Sequence, residues 1–384
     1  MMRVASTAFL ATVCVVATAL VQPSAVLAEE EKPADALETE VVAEGLDHPW
    51  GVAFIEGGRF LVTQRSGQMR VVEADGRVGP PLEGLPGIEV VGQGGLLDVV
   101  TDSGFASNRV IYFCYAEADP DGGNGNSTAM ASAKLSEDRA RLIDVKVLFR
   151  QAPKYKSRAH FGCRIVESPK GLLFLTLGDR YSRMDDAQTL DTHHGKVVRL
   201  TKSGGIPGGN PFVARSGALP EIWSFGHRNL QGATWGPGDR LWTVEHGPQG
   251  GDELNHPQAG RNYGWPVITY GEQYGGGAIG EGITQKAGME QPVHYWVPSI
   301  APSGLAYITS DRYGEAMKGR LLTGSLKFRY LARLTLEGDR VVAEEKLLPR
   351  LGQRVRDVRQ GPDGLIYLLT DHGRGQLLRI RPLR

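Results

Sequence analysis

Gly58-Arg59-Phe60-Leu61-Val62-Thr63 sets out a phrase that the chain keeps returning to: a turn residue, four to six β-prone residues, then a polar exit. It recurs as Asn108-Arg109-Val110-Ile111-Tyr112-Phe113, Gly171-Leu172-Leu173-Phe174-Leu175-Thr176 and Gly238-Asp239-Arg240-Leu241-Trp242-Thr243-Val244. The last two copies are Gly304-Leu305-Ala306-Tyr307-Ile308-Thr309 and Gly364-Leu365-Ile366-Tyr367-Leu368-Leu369-Thr370. The turn residues stand 50, 63, 67, 66 and 60 positions apart. A β-sandwich shows turn signals every ~8–12 residues with no longer period. Six near-regular returns therefore predict an all-β fold, a six-bladed β-propeller of four-stranded antiparallel blades. The period exceeds the ~40–45 residues of a compact blade, so the surplus belongs in long top-face loops, where a rigid scaffold carries its chemistry. Closing the ring requires the terminal strands to meet, and Thr39–Val42 with Leu377–Ile380 is the expected clasp.

Composition agrees with this reading. The 384 residues include 51 Gly and 22 Pro, about a fifth of the chain against about an eighth on average. Each interior Gly costs a helix about 1 kcal/mol relative to Ala, so a helical bundle is excluded. Lys and Arg number 43 and Asp and Glu 43. That balance argues against a nucleic-acid binder, which needs a basic excess to displace phosphate counterions. No phosphate-cradling glycine loop of either nucleotide-binding type is present.

The first residues read as an address. Arg3, the apolar run Ala8–Val21 and the small residues before Glu29 describe a signal peptide over 1–28, cleaved after Ala28, and hence a periplasmic or secreted protein. The run is shorter than the ~20 residues of a spanning helix, so no stable membrane span is expected after cleavage. Residues 29–38 read as a flexible leader and 39–384 as the single propeller domain. Cys14 leaves with the signal peptide. Cys114 and Cys163 then remain either as a disulfide, as export permits, or as small buried hydrophobes, and the apolar run around Cys114 favours the second.

Three loops concentrate useful side chains. His160 leads one strand of a hairpin and Asp179 ends the next, so the two are expected side by side at one rim; a carboxylate beside imidazole fixes its tautomer and raises its basicity. The bland alternative is a polar strand cap. Ser224–Gly232 followed by Glu245–Glu253 combines Gly, Pro and acids, which suits a hard cation seeking carbonyl and carboxylate oxygens, or else a solvated turn cluster. Lys327 with Arg354 and Arg356, which alternate along an extended segment and so share a side, makes a cationic rim suited to a polycarboxylate, or a solvated basic edge.

Several phrases together carry a resemblance: Gly92-Gln93-Gly94-Gly95-Leu96-Leu97-Asp98, His160-Phe161-Gly162, Gly226-His227-Arg228-Asn229-Leu230-Gln231-Gly232, Asn262-Tyr263-Gly264-Trp265-Pro266, and Gly352 to Asp357. On these the chain resembles the quinoprotein glucose/sorbosone dehydrogenase family, in particular its soluble aldose sugar dehydrogenases. The resemblance implies a six-bladed propeller holding pyrroloquinoline quinone (PQQ) and Ca2+ on its top face. It implies that His160 takes the proton from the anomeric hydroxyl, with Asp179 orienting it, while hydride passes from C1 to calcium-polarised PQQ to leave a lactone. Arg228 is implied to stabilise charge on the quinone oxygen, and Gln93 and Asn229 to bond its rim. Lys327, Arg354 and Arg356 are implied to face the PQQ carboxylates, with Tyr274 a further cofactor contact. The carbonyls of Gly247 and Pro248 are implied to hold one calcium, and Glu253 and Tyr263 a second. Implied partners are an aldose substrate and a soluble electron acceptor, with the protein a monomer or homodimer.

The sequence departs from the family pattern at Cys163, where glycine is expected, which places a thiol beside the proposed base. Arg180-Tyr181-Ser182-Arg183-Met184 also fails to align with the family's loop after Asp179. The loops that set strict glucose use are short or absent, so a broad aldose range is expected. Two other readings compete: a calcium-dependent, lactonase-like propeller hydrolase without PQQ, which leaves the cationic trio without a partner, and a binding module, which predicts loss of base and clamps.

Overall fold

The computed structural model describes Met1 and residues 37–382. The signal peptide and most of the leader lie outside the described residues. Nearly all the regular structure is strand. Six separate four-stranded antiparallel sheets follow one another along the chain. Blade 1 runs Pro49–Ile55, Arg59–Gln64, Gln68–Val72 and Val78–Pro81, and blade 2 Leu96–Thr101, Val110–Ala118, Asn126–Leu135 and Leu142–Arg150. Blade 3 comprises Ile165–Glu167, Leu172–Thr176, Lys196–Thr201 and Ile222–Phe225. Leu230–Gly236, Arg240–Glu245, Asp252–Asn255 and His294–Trp296 make blade 4, and Pro302–Tyr307, Leu321–Ser325, Leu331–Glu337 and Arg340–Leu347 make blade 5. Blade 6 takes Val355–Gln360, Ile366–Thr370 and Gly375–Pro382 from the end of the chain, and its fourth strand, Leu37–Leu46, from the beginning. Thr39 pairs with Ile380, Glu40 with Arg379 and Val41 with Leu378, so the expected clasp closes the ring. Arg379 and Arg381 both reach Glu40 across it.

Each blade is sandwiched between two others, so its strands are apolar on both faces and read as runs rather than alternations. Leu61, Met69 and Val71 of blade 1 pack on Leu96, Phe113 and Ala131 of blade 2. Tyr112 and Met130 of blade 2 pack in turn on Leu173, Leu175 and Val198 of blade 3. The same stacking joins blade 5 to blade 6 through Leu322, Leu331, Val358 and Leu368.

Five of the six repeated phrases mark the turn into the second strand of a blade. The fifth copy does not: Gly304 lies within Pro302–Tyr307, the innermost strand of blade 5, and the true counterpart is Gly319-Arg320-Leu321-Leu322-Thr323. Gly304 is there for contact rather than turning, since a Cβ would collide with the Asp357–Val358 backbone of blade 6. The sequence also misjudged the cysteines. Cys114, in the second strand of blade 2, and Cys163, leading into blade 3, form a disulfide with Cα atoms 5.9 Å apart. The thiol expected beside the base is therefore a bridge that pins two blades together.

At the axis, where apolar side chains cannot fill a tapering tunnel of inner strands, a buried ion network takes over. Arg164 bridges Asp98 (3.2 Å) and Asp357 (3.0 Å), and Arg359 bonds the same two carboxylates at 2.6 and 3.0 Å. Arg164 also donates to the carbonyls of Gln231 (2.8 Å) and Arg356 (3.0 Å). Charges this deeply buried are tolerable only when paired. Here the pairing also fixes two backbone positions at the floor of the cavity described next.

Candidate active site

One cavity of about 310 Å³ opens at the end of the ring where the innermost strands begin, near the lower limit of the ~300–1,000 Å³ usual for small-molecule sites. Topology explains its lining. Trp50, Gln93, Gly162, Asn229, Ala301 and Arg354 lie at or just before the starts of innermost strands, while Arg65, His246, Leu326 and Asp371 lie just past the ends of second strands. Antiparallel pairing brings both sets to one rim, opposite the turns that reveal the repeat.

His160 and Asp179 meet there. Gly178 permits the approach, because a Cβ at that position would collide with the His160 carbonyl. His160 Nδ1 lies 2.6 Å from Asp179 Oδ1. The same carboxylate accepts from the Tyr181 backbone N–H (2.8 Å) and, through its other oxygen, from Trp265 Nε1 (2.8 Å). All its partners are donors, so Nδ1 carries the proton and Nε2 is left as the free base. Among the described residues nothing hydrogen-bonds Nε2. Burial pushes the imidazole below its ordinary pKa; Asp179 pulls it back only in part, and Arg228 and Arg180 depress it further. The ring is consequently neutral at pH 7, the state a general base needs.

Gln93, which lines the cavity, accepts from the His160 N–H at 2.9 Å and links base to cavity. Asn229 also lines it, its Oδ1 accepting from Gly162 N–H (3.2 Å) and from Gln231 Nε2 (3.2 Å). Arg228 precedes it, fixed by its N–H on Glu245 (2.7 Å), with its guanidinium over Trp265 at 5.2 Å and its Nε buried and, among the described residues, unpaired. Arg228 Nη1 donates to the carbonyls of His246 (3.0 Å) and Gly247 (2.7 Å).

Arg354 and Arg356 do share a side, and what joins them is Asp371. Arg356 reaches it at 2.9 Å and Arg354 at 3.1 Å, and His48 adds a third contact at 3.0 Å. Burial alone would raise the Asp371 carboxyl; Arg356, His48 and Arg354 outweigh it and hold the group far below the usual carboxylate range. Sequence reasoning did not assign Asp371. Its signal was positional, since it follows the second strand of blade 6 just as His246 follows that of blade 4. With Arg65, the lining carries three guanidiniums against one carboxylate, and Arg356 Nε is buried without a partner among the described residues. Lys327 and Tyr274 are not among the lining residues. Lys327 is exposed with its ammonium 5.1 Å from the Phe328 ring, and Tyr274 is 63% exposed.

The proposed metal ligands fall into two groups. The Gly247 N–H is anchored on Asp252 (2.8 Å), a carboxylate that also accepts from Ser299 and the Ile300 and Ala301 N–H groups. Glu253 lies near Glu245, and burial with that like charge pushes its carboxyl up to about 8. Asn255 donates to both glutamates while its own Oδ1 is buried and unpaired. The Tyr263 ring stacks on His227 at 4.7 Å, but its hydroxyl is committed to His256 O and Gln258 N–H. Among the described residues no three His, Cys, Asp or Glu side chains are grouped to hold a metal.

Comparison with known proteins gives this arrangement a lineage. The chain is 45% identical over 349 residues to the aldose sugar dehydrogenase YliI of Escherichia coli, covering 90% of this chain and 93% of that one. It is 25% identical over 413 residues to quinoprotein glucose dehydrogenase B of Acinetobacter calcoaceticus, covering 87% and 85%. The crystal structure of the apo E. coli aldose sugar dehydrogenase superposes with a TM-score of 0.86 at 44% identity, covering 90% of this chain and 99% of that one. The PQQ-bound aldose sugar dehydrogenase of Streptomyces coelicolor superposes at 0.73 and 28%, covering 91% and 99%. The glucose/sorbosone dehydrogenase family model matches residues 46–379, and the chain belongs to that family of oxidoreductases.

Proposed function

We propose that this protein oxidises aldoses at C1 to the lactone, using PQQ and calcium and passing electrons to a soluble acceptor. The observation that carries the reading is the buried His160–Asp179 pair, its Nε2 free, at the edge of a cationic cavity of cofactor size. The residues fit the cofactor. Trp50, Leu97, Phe161 and Leu326 offer apolar walls, and Arg356 in the lining carries an Nε that is buried and unpaired among the described residues, a donor of the kind a polycarboxylate satisfies. The Gly247 and Pro248 carbonyls would supply two of the 6–8 oxygens calcium takes, the Gly247 carbonyl sharing its lone pairs with the Arg228 Nη1 that donates to it at 2.7 Å. Glu253, Glu245 and the orphaned Asn255 Oδ1 suit a second ion, which would relieve the crowding of two buried carboxylates.

When bound, PQQ supplies the hydride acceptor and calcium the Lewis acid that polarises it. The chain's own residues do the rest. His160 Nε2 takes the proton of the C1 hydroxyl as C1 gives up its hydride. Asp179 keeps Nδ1–H in place and stabilises the imidazolium that forms. Trp265, 8% exposed, and the near-complete burial of His160 keep bulk water from the reacting centre. Arg228 sets a fixed positive charge beside the base. Lys327 follows the lining residue Leu326 on the rim, where an exposed ammonium suits a cofactor carboxylate, while Tyr274 is an exposed ring without a place in the lining.

Export through the N-terminal signal fits the Cys114–Cys163 bridge, since disulfides persist outside the cytosol. Asp371 gives the arginines a partner without any anionic ligand, which weakens the argument against a lactonase. The cavity remains cationic all the same, and family membership favours the dehydrogenase. The test is to load purified protein with PQQ and Ca2+ and follow dye reduction with several aldoses. Sugar-dependent reduction is expected; uptake of PQQ without it would sink the proposal.

A further inference from the structure

The loop after Asp179 places an aromatic ring beside the proposed base. Tyr181 is 53% exposed, yet its ring stands edge-on to the His160 imidazole at 5.2 Å between centroids and 74° between planes. The placement is built in. Arg180 and Tyr181 both adopt left-handed backbone (φ 62° and 68°), an unusual choice for two bulky residues in succession. Such strain persists only where the surroundings over-determine it.

Arg180 supplies that surrounding structure. Its guanidinium is fully buried, lies 3.7 Å from the Phe161 ring centroid, and donates to the carbonyls of Ala159 (2.8 Å), His160 (2.9 Å) and Ser157 (3.2 Å) and to Asn126 Oδ1 (2.6 Å). The Tyr181 N–H is fixed on Asp179 at 2.8 Å. The carboxylate that orients the base therefore also orients the tyrosine. A folding chain has no stability reason to strain its backbone in order to leave an aromatic ring in water.

We infer that Tyr181 is the aromatic wall of the sugar subsite, packing on the C–H face of a pyranose so that the C1 hydroxyl meets His160 Nε2. This rests on the aldose-oxidation reading. A pyranose has a face of C–H groups with hydroxyls around its rim, and an exposed tyrosine ring takes the former and leaves the latter solvated. Because the ring contacts a face common to many aldoses rather than one hydroxyl, it raises affinity without strong selection among them.

The test uses Tyr181→Asn, which removes the ring while tolerating left-handed backbone, and Tyr181→Phe, which keeps the ring. In the PQQ- and calcium-loaded enzyme the Asn variant should raise KM for glucose about tenfold with kcat little changed, and the Phe variant should stay within about twofold. Glucose binding to the reduced holoenzyme, which cannot turn over, should weaken about as much when measured by titration calorimetry. The acid limb of the pH profile should not move, since the ring acts on the sugar and not through His160. An active wild type with unchanged KM and binding in Tyr181→Asn, or a variant whose loss lies in kcat with a shifted pH limb, overturns the inference alone. A loaded wild type inert to every aldose overturns the parent reading, and this one with it.

Discussion

Replacing Asp179 by Asn tests the base without altering its shape. Asp179 accepts from three donors: His160 Nδ1, the Tyr181 N–H and Trp265 Nε1. An amide can present only one oxygen. If it faces His160 and Tyr181, its NH2 group confronts the Trp265 N–H. If it turns to satisfy Trp265, its NH2 donates to Nδ1 and forces the proton onto Nε2, the nitrogen that must accept. Either way one donor is unpaired. The charge effect is larger. A carboxylate about 4 Å from an imidazolium is worth about 4 kcal/mol at an effective dielectric near 20, or about a thousandfold in rate. Asp179→Asn should thus lower kcat about 10³-fold at pH 7 with little change in cofactor affinity, assayed by dye reduction at saturating aldose and PQQ. Because Asp179 raises the His160 pKa against burial, its loss should also move the acid limb of kcat/KM to lower pH. A variant retaining a tenth of wild-type kcat with cofactor bound would refute the reasoning.

Three further outcomes are expected. Reducing the Cys114–Cys163 bridge, which closes a loop of 49 residues, should cost about 4 kcal/mol, read as a lower urea midpoint with dithiothreitol. His193 and His194 are buried and held below their ordinary pKa mainly by desolvation, opposed by Glu221 and Asp186. The unfolded chain binds protons first, so stability should fall as pH drops below about 6.5, by at most about 1.4 kcal/mol per pH unit for each histidine, in chemical melts at pH 7, 6 and 5. Arg356→Met should weaken PQQ binding more than tenfold in equilibrium titration, since a buried charge-assisted hydrogen bond contributes about 1.5–3 kcal/mol; unchanged binding would remove Arg356 from the cofactor site.

The periodicity was legible because blade turns need Gly, Asn or Asp whatever the loops do. It slipped at Gly304, where a glycine serves close approach between inner strands rather than a turn. The long segment from Asn255 to His294 inside blade 4 pushes the true turn, at Gly319, to 81 residues after Gly238, while Gly304 at 66 kept the period regular. His160 and Asp179 could be paired from sequence because adjacent strands of one hairpin carry them. Asp371 stands in the same hairpin relation to Arg354 and Arg356, but two arginines on one rim already had a ligand's carboxylates to explain them, so nothing in the residue pattern called for a carboxylate from the chain. The cysteines misled for a different reason: their Cα separation depends on how blade 2 meets blade 3, not on the apolar run around Cys114. The role of Tyr181 lies in backbone angles that no residue pattern announces.

In the proposed reaction His160 withdraws a proton as C1 loses its hydride. This is tested most directly by single-turnover reduction of the PQQ-loaded enzyme with glucose and with glucose deuterated at C1. The C1–H bond breaks in that step, so cofactor reduction should slow several-fold with the deuterated sugar. Equal rates in the chemical step, or lactone formed without cofactor reduction, would contradict it.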